Sequence, residues 1–143
     1  CSIAVHIRRG DIMQTGQGIP NRSLAKRYQN NQYYITVLEH IFKHIPQDKK
    51  ARIYLFSQGR EEEFQDFLVF RNIEFCLEMD AMSSFLHLVY ADILITSKSS
   101  FSYKAALINQ GIKYCPREFW HGYPREDNWI LADDNGKVVT ASE

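Results

Sequence analysis

The sequence carries no net charge: seventeen Lys and Arg residues balance seventeen Asp and Glu. The basic excess that draws proteins to nucleic acids or anionic membranes is therefore missing. Cysteine is scarce. Cys1, Cys76 and Cys115 are an odd set with no C-x-x-C pair, which argues against a disulfide framework and against a cysteine-built zinc site. Long apolar runs are lacking as well. The longest, such as residues 67–70 and 93–95, fall far short of the ~20 residues a membrane-spanning helix needs. There is no internal repeat and no low-complexity stretch. No G-x-x-x-x-G-K-[ST] phosphate loop occurs, no G-x-G-x-x-G fingerprint, no G-x-S-x-G nucleophile elbow and no D-x-D metal motif. Gly16-Gln17-Gly18 lacks a third glycine and does not follow a strand directly.

What remains is an ordinary globular composition. Of the 143 residues, 45% are hydrophobic and 24% charged, enough apolar material for one domain with a real core. There is no initiator Met, signal peptide or transit peptide. The chain opens inside an apolar, β-branched run, and so reads as one domain, residues 1–143, excised from a longer two-domain protein.

Apolar periodicity sets the expected order of elements. Residues 2–7 read as a strand stopped by Gly10, because Ile3, Val5 and Ile7 are β-branched. Residues 11–31 form a polar, turn-rich loop far longer than the usual ~4–6 residues. Tyr34, Val37, Leu38, Ile41, Phe42 and Ile45 recur at helical spacing until Pro46. A strand is expected over 51–57. A helix opened by Glu61-Glu62-Glu63 runs through Phe70, with acidic side chains suited to the positive end of its dipole. A short strand, 73–77, precedes a helix capped by Asp80 or Ser83. Residues 92–96 read as a strand buried on both faces. Residues 97–102 lead into a helix closed by Gly111, and 112–115 form a fifth strand stopped by Pro116. Asn135-Gly136 then signals a small hairpin between 129–132 and 137–140. Strands alternating with helices predict an α/β fold, a Rossmann-like parallel sheet with helices on both faces. Ligands of such sheets sit beyond the carboxyl ends of the strands.

Two clusters fall at those ends. His6-Ile7-Arg8-Arg9-Gly10-Asp11 follows the first strand. Adjacent guanidinium groups repel one another unless an anion joins them, and they grip phosphate in bidentate fashion. Asp11 could pair with one of them, which also admits the plainer reading of a surface salt bridge. Ser97-Lys98-Ser99-Ser100-Phe101-Ser102 follows the fourth strand at a helix N-terminus, where N–H groups and the dipole favour anions. The plainer reading there is a serine N-cap. Taken together, the two clusters predict a diphosphate clamp. Arg9-Gly10-Asp11 is also the three-residue adhesion sequence, too short to carry specificity. His40 and His44 have the spacing of a helical metal pair, but no Glu follows His40. Cys76 and Cys115 end strands and read as core.

Three segments carry a resemblance. V-H-I-R-R-G-D (5–11), I-Y-L-F-S (53–57) and A-D-I-L-I-T-S-K-S-S-F-S-Y-K-A-A-L-I-N (91–109) resemble, in order and spacing, motifs of the fucosyltransferase superfamily with the two-domain GT-B fold. That superfamily includes α1,2-, α1,6- and protein O-fucosyltransferases, and the likeness extends from Ser2 to Trp120. It implies a metal-independent, inverting glycosyltransferase with GDP-fucose or a related GDP-sugar as donor substrate, no cofactor, and a glycan or protein hydroxyl as acceptor. This chain would be the donor-binding half, with the acceptor domain elsewhere in the same protein. Arg8 would support the leaving diphosphate, with Arg9 beside it. His6 would lie near the guanine, with Gly10 and Asp11 completing the motif. Ser99, Ser100, Phe101 and Ser102 would form the phosphate-binding turn. The sequence departs from the family where Gln58-Gly59, not an acidic pair, follows Ser57. The acidic residue that many members carry before the last motif has its nearest counterpart in Asp80, with Ser83 or Ser84 closer to that place. A same-fold enzyme for another nucleotide sugar and a non-catalytic nucleotide- or glycan-binding module are the rival readings.

Overall fold

A computed structural model describes residues 1–9, 29–46 and 50–139. Its strands and helices are β1 (Ser2–His6), α1 (Asn31–His44), β2 (Arg52–Ser57), a 3-10 helix (Glu61–Val69), β3 (Ile73–Leu77), α2 (Ala81–Tyr90), β4 (Ile93–Ile95), α3 (Ser100–Ile108), β5 (Ile112–Pro116), β6 (Trp129–Ala132) and β7 (Val138–Val139). One seven-stranded sheet runs in the order β3-β2-β1-β4-β5-β6-β7. All neighbours are parallel except β6 and β7. The α/β, Rossmann-like expectation is met.

Strand alternation divides the core in two. Ile3, Val5, Ile53, Leu55, Ile93 and Ile95 face α1 and the 3-10 helix, packing on Tyr33, Val37, Leu38, Ile41, Phe64 and Phe67. Ala4, Phe56 and Leu94 face the other way, onto Leu88 of α2 and Ala105 and Ala106 of α3. Helix ends follow local chemistry. The Asn30 and Asp80 side chains accept N–H bonds from Tyr33 and Ser83 as N-caps. Ile45 is extended, as the residue before a proline must be. At the far ends of α2 and α3, the Asn109 amide donates to Leu88 O, Val89 O and Ala91 O at 2.9–3.0 Å and accepts from Gly111 N. Gly111 is required there, since a Cβ would meet Asp92 O at 2.1 Å.

Two expectations are corrected. The segment after Arg60 is a 3-10 helix, without a side-chain cap and kinked at Phe64. Its two buried anchors, Phe64 and Phe67, stand three residues apart, the period of that helix. The last two strands form the expected hairpin: β6 and β7 pair antiparallel, Leu131 opposite Val139 and Ala132 opposite Val138. β6 pairs parallel with β5 and extends the sheet, and the turn closes through Gly136 at φ 85°. The helix before the fifth strand ends at Ile108, with Asn109 rather than a glycine at its C-cap. Cys115 is buried, as expected of core, while Cys76 is half-buried. Gly10, Asp11 and the long loop from 11 lie outside the described residues, apart from its last three positions, 29–31. Among the described residues no helix is long and apolar enough to cross a membrane.

Candidate functional site

The parallel strands β1, β2 and β4 end side by side, and a cavity of about 400 Å³ opens there. That is large enough for a nucleotide-sized ligand. His6, Ile7, Arg8 and Arg9 enter it from β1, Phe56, Ser57 and Gln58 from β2, and Met79, Ala81 and Ser84 from the approach to α2 and its first turns. Ser99 and Phe101 enter from the start of α3. Parallel register delivers this convergence: Val5 pairs with both Leu55 and Ile95, so the chain leaves all three strands at one level.

The adjacent arginines are divided between two tasks. Arg9 is 5% exposed; its guanidinium donates to Gln29 O and to Asn31 Oδ1 at 3.0 and 3.2 Å, and lies 6.0 Å from the Phe64 ring centroid. Those bonds tie the end of β1 to the start of α1. Arg8 is half-buried at the cleft wall. A guanidinium keeps its charge at any working pH, so the cleft holds a permanent cation.

His6 is half-buried and lines the cleft. Its Nδ1 lies 2.8 Å from Ser97 Oγ, and its ring sits 5.2 Å from that of Phe101. Burial, helped by the Arg8 charge, pushes the imidazole down from its ordinary 6.5 to about 4, so it is neutral at physiological pH. The hydrogen bond to Ser97 fixes the ring plane.

The serine turn is largely self-contained. The Ser99 hydroxyl accepts from Phe101 N at 3.1 Å as the N-cap of α3, and Ser99 lines the cleft. Ser102 is fully buried; its hydroxyl accepts from Ser97 N at 3.1 Å and lies 3.3 Å from Ser97 Oγ. It therefore braces the turn from inside and does not line the cleft. Ser100 points outward, its hydroxyl 3.2 Å from His121 Nε2. Ser57 lines the cleft and donates to Ile7 O at 2.6 Å, joining the first two strand ends. Asp80 is exposed and caps α2 through Ser83 N; those hydrogen bonds hold its carboxyl below the usual range. Ser84, one turn on, is the side chain that reaches the cleft.

Several participants carry no local sequence signal. Gln29, Asn31 and Phe64 hold Arg9 from far along the chain. Glu78 adopts φ 61° and accepts from Gly59 N at 2.8 Å, bracing the turn after β2 with a carboxylate borrowed from the end of β3. Met79 supplies an apolar wall. Ser97 belongs to a turn already singled out, but its pairing with His6 depends on β1 and β4 being neighbours. Among the described residues no three His, Cys, Asp or Glu side chains group as a metal site would.

No protein-family model matches the chain, and no curated protein does. Among solved structures it is similar to NodZ α-1,6-fucosyltransferase co-crystallised with GDP, with a TM-score of 0.53 and 16% sequence identity. The match covers 96% of this chain and 40% of that one. The likeness establishes a fucosyltransferase-like fold, and the chain spans about two fifths of the length of its neighbour.

Proposed function

We propose that this chain is the nucleotide-sugar-binding half of a fucosyltransferase-like glycosyltransferase. Its donor is GDP-fucose or a related GDP-deoxysugar, and transfer to a glycan or protein hydroxyl proceeds with inversion. The observation that carries this reading is the convergence of Arg8, from the end of β1, with the N-terminus of α3 at one cavity of nucleotide size. The GDP of the structural neighbour directs the choice of nucleotide. In the reaction the acceptor oxygen forms a bond to the sugar's anomeric carbon as the bond to the β-phosphate oxygen breaks. Negative charge then builds on the departing diphosphate. The Arg8 guanidinium at the cleft wall and the dipole of α3 stabilise that charge. Neutral His6 adds a polar edge to the wall without adding charge. A divalent metal and a cofactor have no task in this scheme.

Titration calorimetry of the chain with GDP and with UDP, each with and without EDTA, tests it. GDP binding that is tighter than UDP binding and insensitive to EDTA is expected. Turnover by this chain without an acceptor-binding partner domain should be poor, because positioned transfer needs both reactants held together. No GDP binding at millimolar concentration sinks the proposal. A second reading, the same fold serving another nucleotide sugar, is favoured by Gln58, an amide where a carboxylate would better read the N–H edge of guanine. Preference for UDP over GDP would select it.

A further inference from the structure

Gln58 stands between two hydrogen bonds to one residue. Ser57 O, just before it, accepts from Glu78 N at 3.1 Å, and Gly59 N, just after it, donates to Glu78 Oε1 at 2.8 Å. The backbone around Gln58 is thus clasped by the residue that follows β3. The clasp is strained: Glu78 sits at φ 61°, in the left-handed region where a Cβ is crowded and where glycine or asparagine would rest more easily. Glycine has no side-chain acceptor to offer, and asparagine carries its own one methylene nearer the backbone. Strain kept at the rim of a cleft points to a task there.

What the clasp presents is one edge of the cavity. Gln58, between the two bonds, and Met79, next to Glu78, both line it. Among the described lining residues Gln58 is the only amide. Nearby polar groups are already engaged: Ser57 Oγ on Ile7 O, Ser99 Oγ on Phe101 N, and His6 Nδ1 with Ser97 Oγ. An amide offers a donor and an acceptor side by side, and a thioether packs well against an aromatic ring. An apolar wall beside a donor–acceptor pair suits a nucleobase, which has a face to cover and an edge to read. Guanine and uracil carry a carbonyl next to a ring N–H; adenine and cytosine carry an amino group next to a bare ring nitrogen. A loosely held amide can adjust to either pattern. One held at a fixed place leaves the wrong base with unpaired polar groups.

We infer that Glu78 is a positioning residue: by clasping the turn on both sides of Gln58, it holds that amide to select nucleoside diphosphates whose base carries a carbonyl beside a ring N–H. The inference rests on the nucleotide-binding reading above, and it applies to GDP and to UDP alike.

The test is calorimetry of the chain with GDP, ADP, UDP and CDP, two pairs of matched ring size that differ in this pattern. The parent should prefer GDP to ADP, or UDP to CDP, by about tenfold. Gln58→Ala and Glu78→Gly should each cut that preference to about twofold. Glu78→Gly relieves the strained φ as it removes the acceptor, so its melting temperature should stay within about 3 °C of the parent's. Glu78→Asn, which also suits that φ but is one methylene short, should lose the preference in the same way. Glu78→Gln keeps an oxygen acceptor at full reach and should keep most of it. The double variant Gln58→Ala, Glu78→Gly should discriminate no worse than Gln58→Ala alone, since a positioning residue acts through the one it positions. Parental preference in folded Gln58→Ala, Glu78→Gly or Glu78→Asn overturns the inference, as do losses that add in the double variant. So does a parent that binds both members of each pair equally. If none of the four diphosphates binds, the nucleotide reading falls and this inference with it. If GDP or UDP binds and the variants discriminate as the parent does, this inference falls alone.

Discussion

The ends of β1 and β4 lie side by side and serve one cleft, yet they are held in opposite ways. After β4 most of the support is local: Ser97, Ser99 and Ser102 bond one another and the backbone within six residues, with outside contacts from His6 to Ser97, His121 to Ser100 and Asp134 to Lys98. After β1 the support comes from afar. Arg9 is bound by Gln29 and Asn31, 20 and 22 positions later, and packs near Phe64. A phosphate-sized site can therefore be assembled from one wall that folds with its own helix and another that exists only once the domain has closed. The difference predicts that damage to the β1 end will be global and damage to the β4 end local.

The sharpest way to break that comparison is Arg9→Ala. It leaves Gln29 O and the Asn31 amide oxygen without their buried donor, at about 1–3 kcal/mol for each, so about 4 kcal/mol of stability should be lost. Denaturant unfolding measures it. A loss under about 1 kcal/mol would mean that Arg9 is not a structural tie.

His6 sharpens it next. Its pKa in the fold is lowered, so the unfolded chain takes up the proton first as pH falls. The stability tied to the neutral ring is fully present above pH 6.5 and drains between there and about 4, by up to about 3 kcal/mol. Melts of the parent and of His6→Gln across that window should diverge in slope. Identical slopes would place the ring in water.

Arg8 carries the ligand side of the comparison. Arg8→Lys keeps a charge but loses the paired planar contacts to phosphate oxygens. About 1.5–3 kcal/mol of GDP affinity should go, roughly ten- to two-hundred-fold, with melting unchanged. If folded Arg8→Ala binds GDP within about twofold of the parent, a change of only ~0.4 kcal/mol, the clamp does not involve Arg8. The smallest effect belongs to the more local end. Ser99→Ala removes one N-cap and should cost about 1 kcal/mol, read by chemical denaturation. A loss as large as that of Arg9→Ala would show that the serine turn, too, is held from outside itself.

The same contrast explains what could be read beforehand. The run of strands and helices is legible because apolar spacing and breakers such as Pro46 act over a few residues. The serine turn is legible for the same reason, as is Asp80 as a cap. The division of labour between Arg8 and Arg9 is not, because the sequence makes them equivalent and only the approach of α1 and the 3-10 helix separates them. Likewise Asn135-Gly136 announces a hairpin but cannot say that β6 will pair parallel with β5, a contact set by packing across the sheet. The outward turn of Ser100 depends on His121, 21 residues on. The positive φ of Glu78 has no glycine to betray it.

Asn109 gives the cleft its mechanics. Its amide rivets α2 to α3 at the ends remote from the cavity, while Ala81, Ser84, Ser99 and Phe101 sit at the other ends and form part of the cavity wall. The two helices are thus pinned at both ends, since nearer the cavity the rings of Phe85 and Phe101 meet edge to face, 5.6 Å between centroids. The spacing of the wall they contribute is set by the fold before a nucleotide arrives, which leaves less ordering for binding to offset.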